Sequence, residues 1–261
     1  MTLRSILAIN MLPPDEKVSI YRRFIPQTLL DSYSIPDDFK DDLGRNLLIL
    51  HCEYGSGDVK LTLRHEADAK DPLLYAHLTD TPFNQIHVLL YVINDPNSPR
   101  FDVDRMPNGT PTQFGTSGRN IQAEIAAMDA GLAPGQIRRG VRLLRQSIEA
   151  FESFISSLEH HLYFVEPLYY HNAIVFERYG FTYQQGRNLM ERIHHGFQPD
   201  GGLTTLLNGS SPFRKPWMQP SIRGRSWAIH DGVLSEPYSN VTMYKRVGEN
   251  AEISTFPDGL W

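Results

Sequence analysis

The chain carries a single cysteine, Cys52, so it can close no intrachain disulfide and offers no Cys–Cys pair to a metal. A lone thiol fits a reducing compartment, and the cytoplasm is the expected address. Long apolar runs are missing too. The longest, Val88 to Ile93, is six residues, against the roughly 20 that a membrane-spanning helix needs. The apolar stretch Ile6–Ile9 after Arg4 is too short for a signal core, and Pro13-Pro14-Asp15-Glu16 follows where a small-residue cleavage site would stand. Positive charge is not in excess. The 25 Lys and Arg residues face 30 Asp and Glu, a net charge of −5, which argues against nucleic acid and anionic membrane as partners. Gly-x-Ser-x-Gly, the P-loop, His-Glu-x-x-His and the dinucleotide fingerprint are all absent.

What is present is an ordinary globular composition, 41% hydrophobic and 21% charged over 261 residues, enough to bury a core without covalent staples. Residues 1–45 read as a helical N-terminal segment, with Pro14 in a first turn and a second helix over Pro26–Tyr33. Residues 46–105 are the β region. Leu47–Tyr54 and Val59–His65 flank Gly55-Ser56-Gly57-Asp58, a hairpin connection. Leu73–Thr79 and Gln85–Ile93 follow, and the last, apolar on both faces, reads as a central strand. After a Pro- and Gly-rich loop over 96–118, a helix from about Arg119 to Ala130 is expected, with Ser117 as cap and Ile121, Ile125 and Met128 as its apolar stripe. A longer helix is predicted from Pro134, with Ile137, Val141, Leu144, Ile148, Phe151, Ile155 and Leu158 on one face. Strand 162–166, helix 168–179, a short strand at 181–183 and helix 184–195 come next. Strands are expected over Ser226–Leu234, Val241–Val247 and Glu252–Phe256. The fold class is thus α+β: a mainly antiparallel sheet flanked by helices, with a β-rich C-terminal extension. The expected division is 1–45, a core at 46–197, and an extension at 198–261 packed on that core.

Four groups of residues bear on chemistry. Five of the ten histidines lie between positions 160 and 195, interleaved with glutamates. Glu191 precedes His194 by three residues and His195 by four, so on a helix the carboxylate and an imidazole share a face. With His171 they form a candidate transition-metal set, although carboxylate-bridged helical sites use a second such pair. The plainer reading is a polar last turn, where histidine complements the helix dipole. Second, His51, His65, His77 and His87 fall on or beside four successive strands, and only the register decides whether they meet. Third, Arg138, Arg139, Gly140 and Arg142 open the long helix, where free N–H groups and the dipole favour an anion. Fourth, Glu166 and His171 bracket Pro-Leu-Tyr-Tyr at a strand end, a carboxylate and an imidazole suited to general acid–base work if they face one cavity.

The string Phe176-Glu177-Arg178-Tyr179-Gly180-Phe181 resembles the closing helix-to-strand segment of GNAT-type acyltransferases, Tyr-Glu-x-x-Gly-Phe, and Arg138-Arg139-Gly140-Val141 with Leu143-Leu144 resembles that family's coenzyme A pyrophosphate helix. The likeness spans at most residues 46–190. Only Gly140 matches the family's glycine pattern, Ile137 and Arg142 stand at its outer positions, and Phe176 replaces the tyrosine that often acts as general acid. The resemblance implies acetyl-CoA or another acyl-CoA as cosubstrate, Arg138, Arg139, Gly140 and Arg142 as its cradle, and Glu166 or His171 as general base. The other reading is a metal- or small-ligand-binding protein without catalysis, built on the His-, Glu- and Tyr-rich region 159–195. A purely structural role is a third. A small-molecule ligand is the expected partner in either of the first two, with a homodimer as the candidate assembly.

Overall fold

The computed structural model describes residues 4–112 and 118–261. The chain forms two units, each assembled from separate stretches. The first comprises Met1–Asn97, Gly140–Glu166 and Tyr244–Asn250; the second comprises Ser98–Arg139, Pro167–Met243 and Ala251–Trp261. The architecture is α+β, with the mainly antiparallel sheet that the strand spacing predicts.

In the first unit, α1 (Ile6–Asn10), α2 (Pro14–Tyr21) and α3 (Gln27–Ser32) precede the strands. Ser5 caps α1 by accepting from Ala8 N–H at 3.0 Å, and Pro14 starts α2. The strands β1 (Leu48–His51), β2 (Asp58–Leu63), β3 (Leu74–Asp80) and β4 (Ile86–Ile93) form an antiparallel meander, and β5 (Leu162–Val165) joins β4 in parallel. The first-unit part of β7 (Thr242–Arg246) lies beyond β5. Alternation puts Val59, Leu61, Leu63, Leu74, Ala76, Leu78, Ile86 and Val88 on one buried face. Against this unit's core packs an aromatic cluster. Phe154 sits 5.3 Å from Phe24, 5.7 Å from Phe151 and 6.3 Å from Tyr21, ring centre to ring centre.

The long helix, α5, runs Leu144–Ser157, and so begins ten residues after the expected start at Pro134. Gly135 and Arg142 both have positive φ, +77° and +60°, which a helix cannot accommodate. Ile137, assigned to the helix stripe, instead packs with Val103, Ala127 and Leu132 of the second unit, and its carbonyl accepts from Phe101 N–H at 2.8 Å.

The second unit holds α4 (Ile121–Asp129), α6 (Tyr170–Arg178), β6 (Thr182–Gln185), α7 (Arg187–Gly196), α8 (Gly202–Thr205) and α9 (Ile222–His230). The predicted cap Ser117 lies outside the described residues; Asn120 caps α4, accepting from Ala123 N–H at 3.3 Å. The buried face of α4 is Glu124 and Ala127, while Ile121 is exposed, so the expected Ile–Ile–Met stripe does not define it. Residues 226–230, expected in a strand, belong to α9. Ser221 caps this helix by accepting from Gly224 N–H at 2.9 Å, and Trp227 and Ala228 are buried on it. Ser221→Ala should cost the second unit about 1 kcal/mol, read as a lower denaturant midpoint; an unchanged midpoint would remove this cap from the account. No strand forms over 252–256.

Candidate functional site

The first unit holds a site where β4 and β5 part company. The parallel pairing covers only His87 with Phe164 and Val88 with Val165, extended by one bond from Glu166 N–H to Val88 O at 3.2 Å. On its other edge β4 carries a bulge: Leu90 faces His77 and Val88 faces Leu78, which leaves Leu89 without an opposite number. Beyond Val88, the apolar run Leu89–Ile93 is only half-buried despite belonging to a central strand. Beyond that bond its β5-facing backbone groups have no β5 partner among the described residues, an open edge of the kind that accepts an extended ligand.

At the far end of this run the chain returns. A Cβ placed on Gly140 would stand 3.4 Å from the carbonyl oxygen of Ile93, a contact that a larger residue would tighten. From Gly140, three residues lead into α5, whose first intrahelical bond is Ser147 N–H to Leu143 O at 2.9 Å. No side chain caps this helix start, so the N–H groups of Leu144, Arg145 and Gln146 have no intrahelical acceptor. Arg142 is exposed one turn before them. Gly140 and Arg142, both expected in an anion cradle, are therefore placed at a strand end and helix start. Arg138 and Arg139 belong to the second unit. Arg138 bonds the Ser98 carbonyl, and Arg139 reaches Ala130 O at 2.9 Å.

At the near end stand His87 and Glu166. Burial lowers the His87 pKa, and the negative charge of Glu166 pulls the other way, so the imidazole is neutral near pH 7. Its Nε2 is buried and makes no hydrogen bond. Glu166 is exposed. By chain position Glu166 pairs with His171; within the first unit, its imidazole neighbour is His87. That pairing depends on the β4–β5 register, which no local pattern announces.

Of the four strand histidines, His51, His77 and His87 share one sheet face. The register sets His51 opposite Lys60, Lys60 opposite His77, and Thr79 opposite His87. They do not converge. His77 Nε2 is taken by Asp58 Oδ2 at 2.6 Å, and His65 lies edge-on to Tyr33 with ring centres 6.3 Å apart.

In the second unit, His171 is buried and neutral, its Nδ1 2.9 Å from the Ser226 hydroxyl and its ring stacked on Tyr169 at 5.7 Å. Burial, reinforced by His230, lowers its pKa to about 3. Nearby, Glu124 takes His230 at 3.1 Å and Arg119 at 2.5 Å, and Arg119 also binds Asp231. Burial works against the Glu124 charge, but these donors prevail and hold its pKa below the usual carboxylate range. The proposed metal set does not assemble. Glu191 is ion-paired with Arg187 at 2.8 Å, His194 Nε2 meets Gln198 at 2.8 Å, and His171 is bound to Ser226. The rings of His194 and His195 stand 6.0 Å apart, edge to face. Among the described residues, no group of three or more His, Cys, Asp or Glu side chains is placed to hold a metal ion.

Comparison with protein-family models, with curated proteins and with solved structures finds no match for this chain. Among the described residues no helix is long and apolar enough to cross a membrane.

Proposed function

We propose that the first unit transfers an acyl group from an acyl-CoA thioester to an amine. The observation that carries this reading is the opening of β4 from β5 after Val88, with the uncapped start of α5 standing at the far end of the opened strand. The free N–H groups of α5 and the Arg142 guanidinium suit a pyrophosphate. The unpaired edge of Leu89–Ile93 suits the amide-bearing arm of coenzyme A, which would bond to it as a short extra strand. His87, neutral and assisted by Glu166, is the base. In the step itself, the amine nitrogen attacks the thioester carbonyl, the new C–N bond forms, and the C–S bond breaks. The amine gives its proton to the His87 imidazole, and the coenzyme A thiolate leaves and takes up a proton. This assignment puts His87 in the role given to His171 by sequence. The single half-buried thiol, Cys52, keeps a reducing cytoplasm as the inferred address.

Calorimetric titration of the full chain with coenzyme A tests the reading. Saturable binding is expected, weakened about tenfold by Arg142→Glu, which sets a negative charge beside the pyrophosphate. His87→Ala should leave coenzyme A binding intact while abolishing acetyl transfer to a panel of primary amines. Failure of the wild-type chain to bind coenzyme A would end the proposal.

A further inference from the structure

The second unit contains a fully buried arginine with no counter-ion. Arg225, on α9, is 1% exposed. Its Nε donates to Gln219 O at 2.7 Å, whereas its Nη1 is buried and makes no hydrogen bond. Aromatic rings cover the guanidinium: its central carbon lies 3.6 Å from the centre of Phe256 and 5.0 Å from that of Phe197. Among the described residues no carboxylate pairs with it. An isolated charge withdrawn from water is costly, and proteins ordinarily place an anion beside it.

Two further donors stand within the influence of the same charge. The buried Tyr170 hydroxyl lies against the Arg225 guanidinium and accepts from it, its own O–H reaching no acceptor among the described residues, and burial pushes its pKa up to about 12 against the pull of Arg225. It therefore keeps its proton at neutral pH. His194 packs on the same Phe256 ring, centres 5.5 Å apart, and its pKa is lowered by burial and then by Arg225. The imidazole is thus neutral and carries one proton. The side-chain amide nitrogen of Gln198 lies 2.8 Å from Nε2 and can only donate, which puts the proton on Nδ1. That Nδ1 is itself buried without a partner. Among the described residues three N–H or O–H groups thus lack an acceptor, with a single positive charge among them, while the carboxylates of Glu177 and Asp258 act on Tyr170 and His194 through space.

We infer that Arg225, Tyr170 and His194 form a binding site for the carboxylate of a small organic acid. A carboxylate supplies acceptors and no donors, and its one negative charge balances one guanidinium. A phosphate near neutral pH carries between one and two charges and would need a second cation, which the neutral His194 does not supply. The site stands on the second unit alone and does not depend on acyl transfer in the first. It also gives a use to His194 other than metal ligation.

Thermal unfolding of the full chain in sodium acetate, against sodium chloride at equal ionic strength, tests the site. A saturable rise in the unfolding temperature specific to acetate is expected, with inorganic phosphate weaker than acetate. Arg225→Met should abolish the rise, and in case that variant does not fold, Tyr170→Phe should weaken acetate about tenfold by removing one hydrogen bond to a charged group. Equal effects of acetate and chloride would overturn the inference. So would a stronger effect of phosphate, or wild-type acetate affinity in Tyr170→Phe.

Discussion

Phe154→Ala is expected to destabilise the first unit by roughly 3–5 kcal/mol, a large share of the whole stability of an ordinary domain. Phe154 is fully buried at the centre of a ring of aromatics, with Phe24, Phe151 and Tyr21 all within 6.3 Å of it. Removing it takes away its own transfer free energy and leaves a cavity walled by planar side chains held by three different segments. Such walls cannot all collapse inward together. Urea denaturation followed by near-ultraviolet circular dichroism gives the number, with Phe154→Leu as a control that fills most of the space. A loss below about 1 kcal/mol would mean that this cluster is not the centre of the unit's stability.

The second large effect is a dependence of stability on pH that His171 controls. Its folded pKa, about 3, lies well below the ordinary value of 6.5. Between those two values the unfolded chain binds a proton that the folded chain refuses, so stability falls as the solution is acidified from 6.5 toward 3. The full span corresponds to a contribution on the order of 5 kcal/mol. His87 and His194, both lowered by burial, act in the same direction. Glu177, raised by burial, acts in the opposite one. Glu124 and Asp231, both lowered by their ion pairs, add a further loss at more acidic pH. Comparing wild type with His171→Asn cancels these shared terms, because asparagine retains an acceptor for Ser226 but does not titrate. The variant's stability should fall distinctly less steeply with acid. Parallel curves for the two proteins would show that His171 takes up its proton without cost.

Much of the sheet was legible because its signals are local. The alternation in Val59–Leu63, the Gly55–Asp58 turn and the apolar Val88–Ile93 run each announce themselves within a few residues, and β1 to β4 follow them. The errors have equally definite causes. The apolar spacing of the long helix continues backward through Ile137 and Val141, but Gly135 and Arg142 take left-handed conformations that periodicity does not see. Trp227, Ile229 and Val233 favour a strand by type, yet the cap at Ser221 and the burial of α9 on several sides override that preference. The site chemistry was less legible still. Gly140 was singled out as the one match to the coenzyme A glycine pattern, and the structure sets it beside the end of β4. The link between His87 and Glu166 depends on a parallel pairing across more than seventy residues of chain. Arg225 looks like any basic residue in Arg-Gly-Arg-Ser-Trp, and only three-dimensional packing reveals that no carboxylate among the described residues balances its charge.

The interleaving of the two units has a consequence for how the protein is made. The chain passes from one unit to the other after Asn97, Arg139, Glu166, Met243 and Asn250. On the ribosome, the antiparallel meander can form early, and β5 can follow once Glu166 has emerged. The strand that lies beyond β5, however, is supplied only by Tyr244–Arg246. For the time needed to synthesise the intervening second-unit segment, the nascent first unit presents a bare strand edge to its surroundings. Ribosomes stalled within residues 167–243 should therefore display chains that engage holdase chaperones, and release of the final residues should end that engagement.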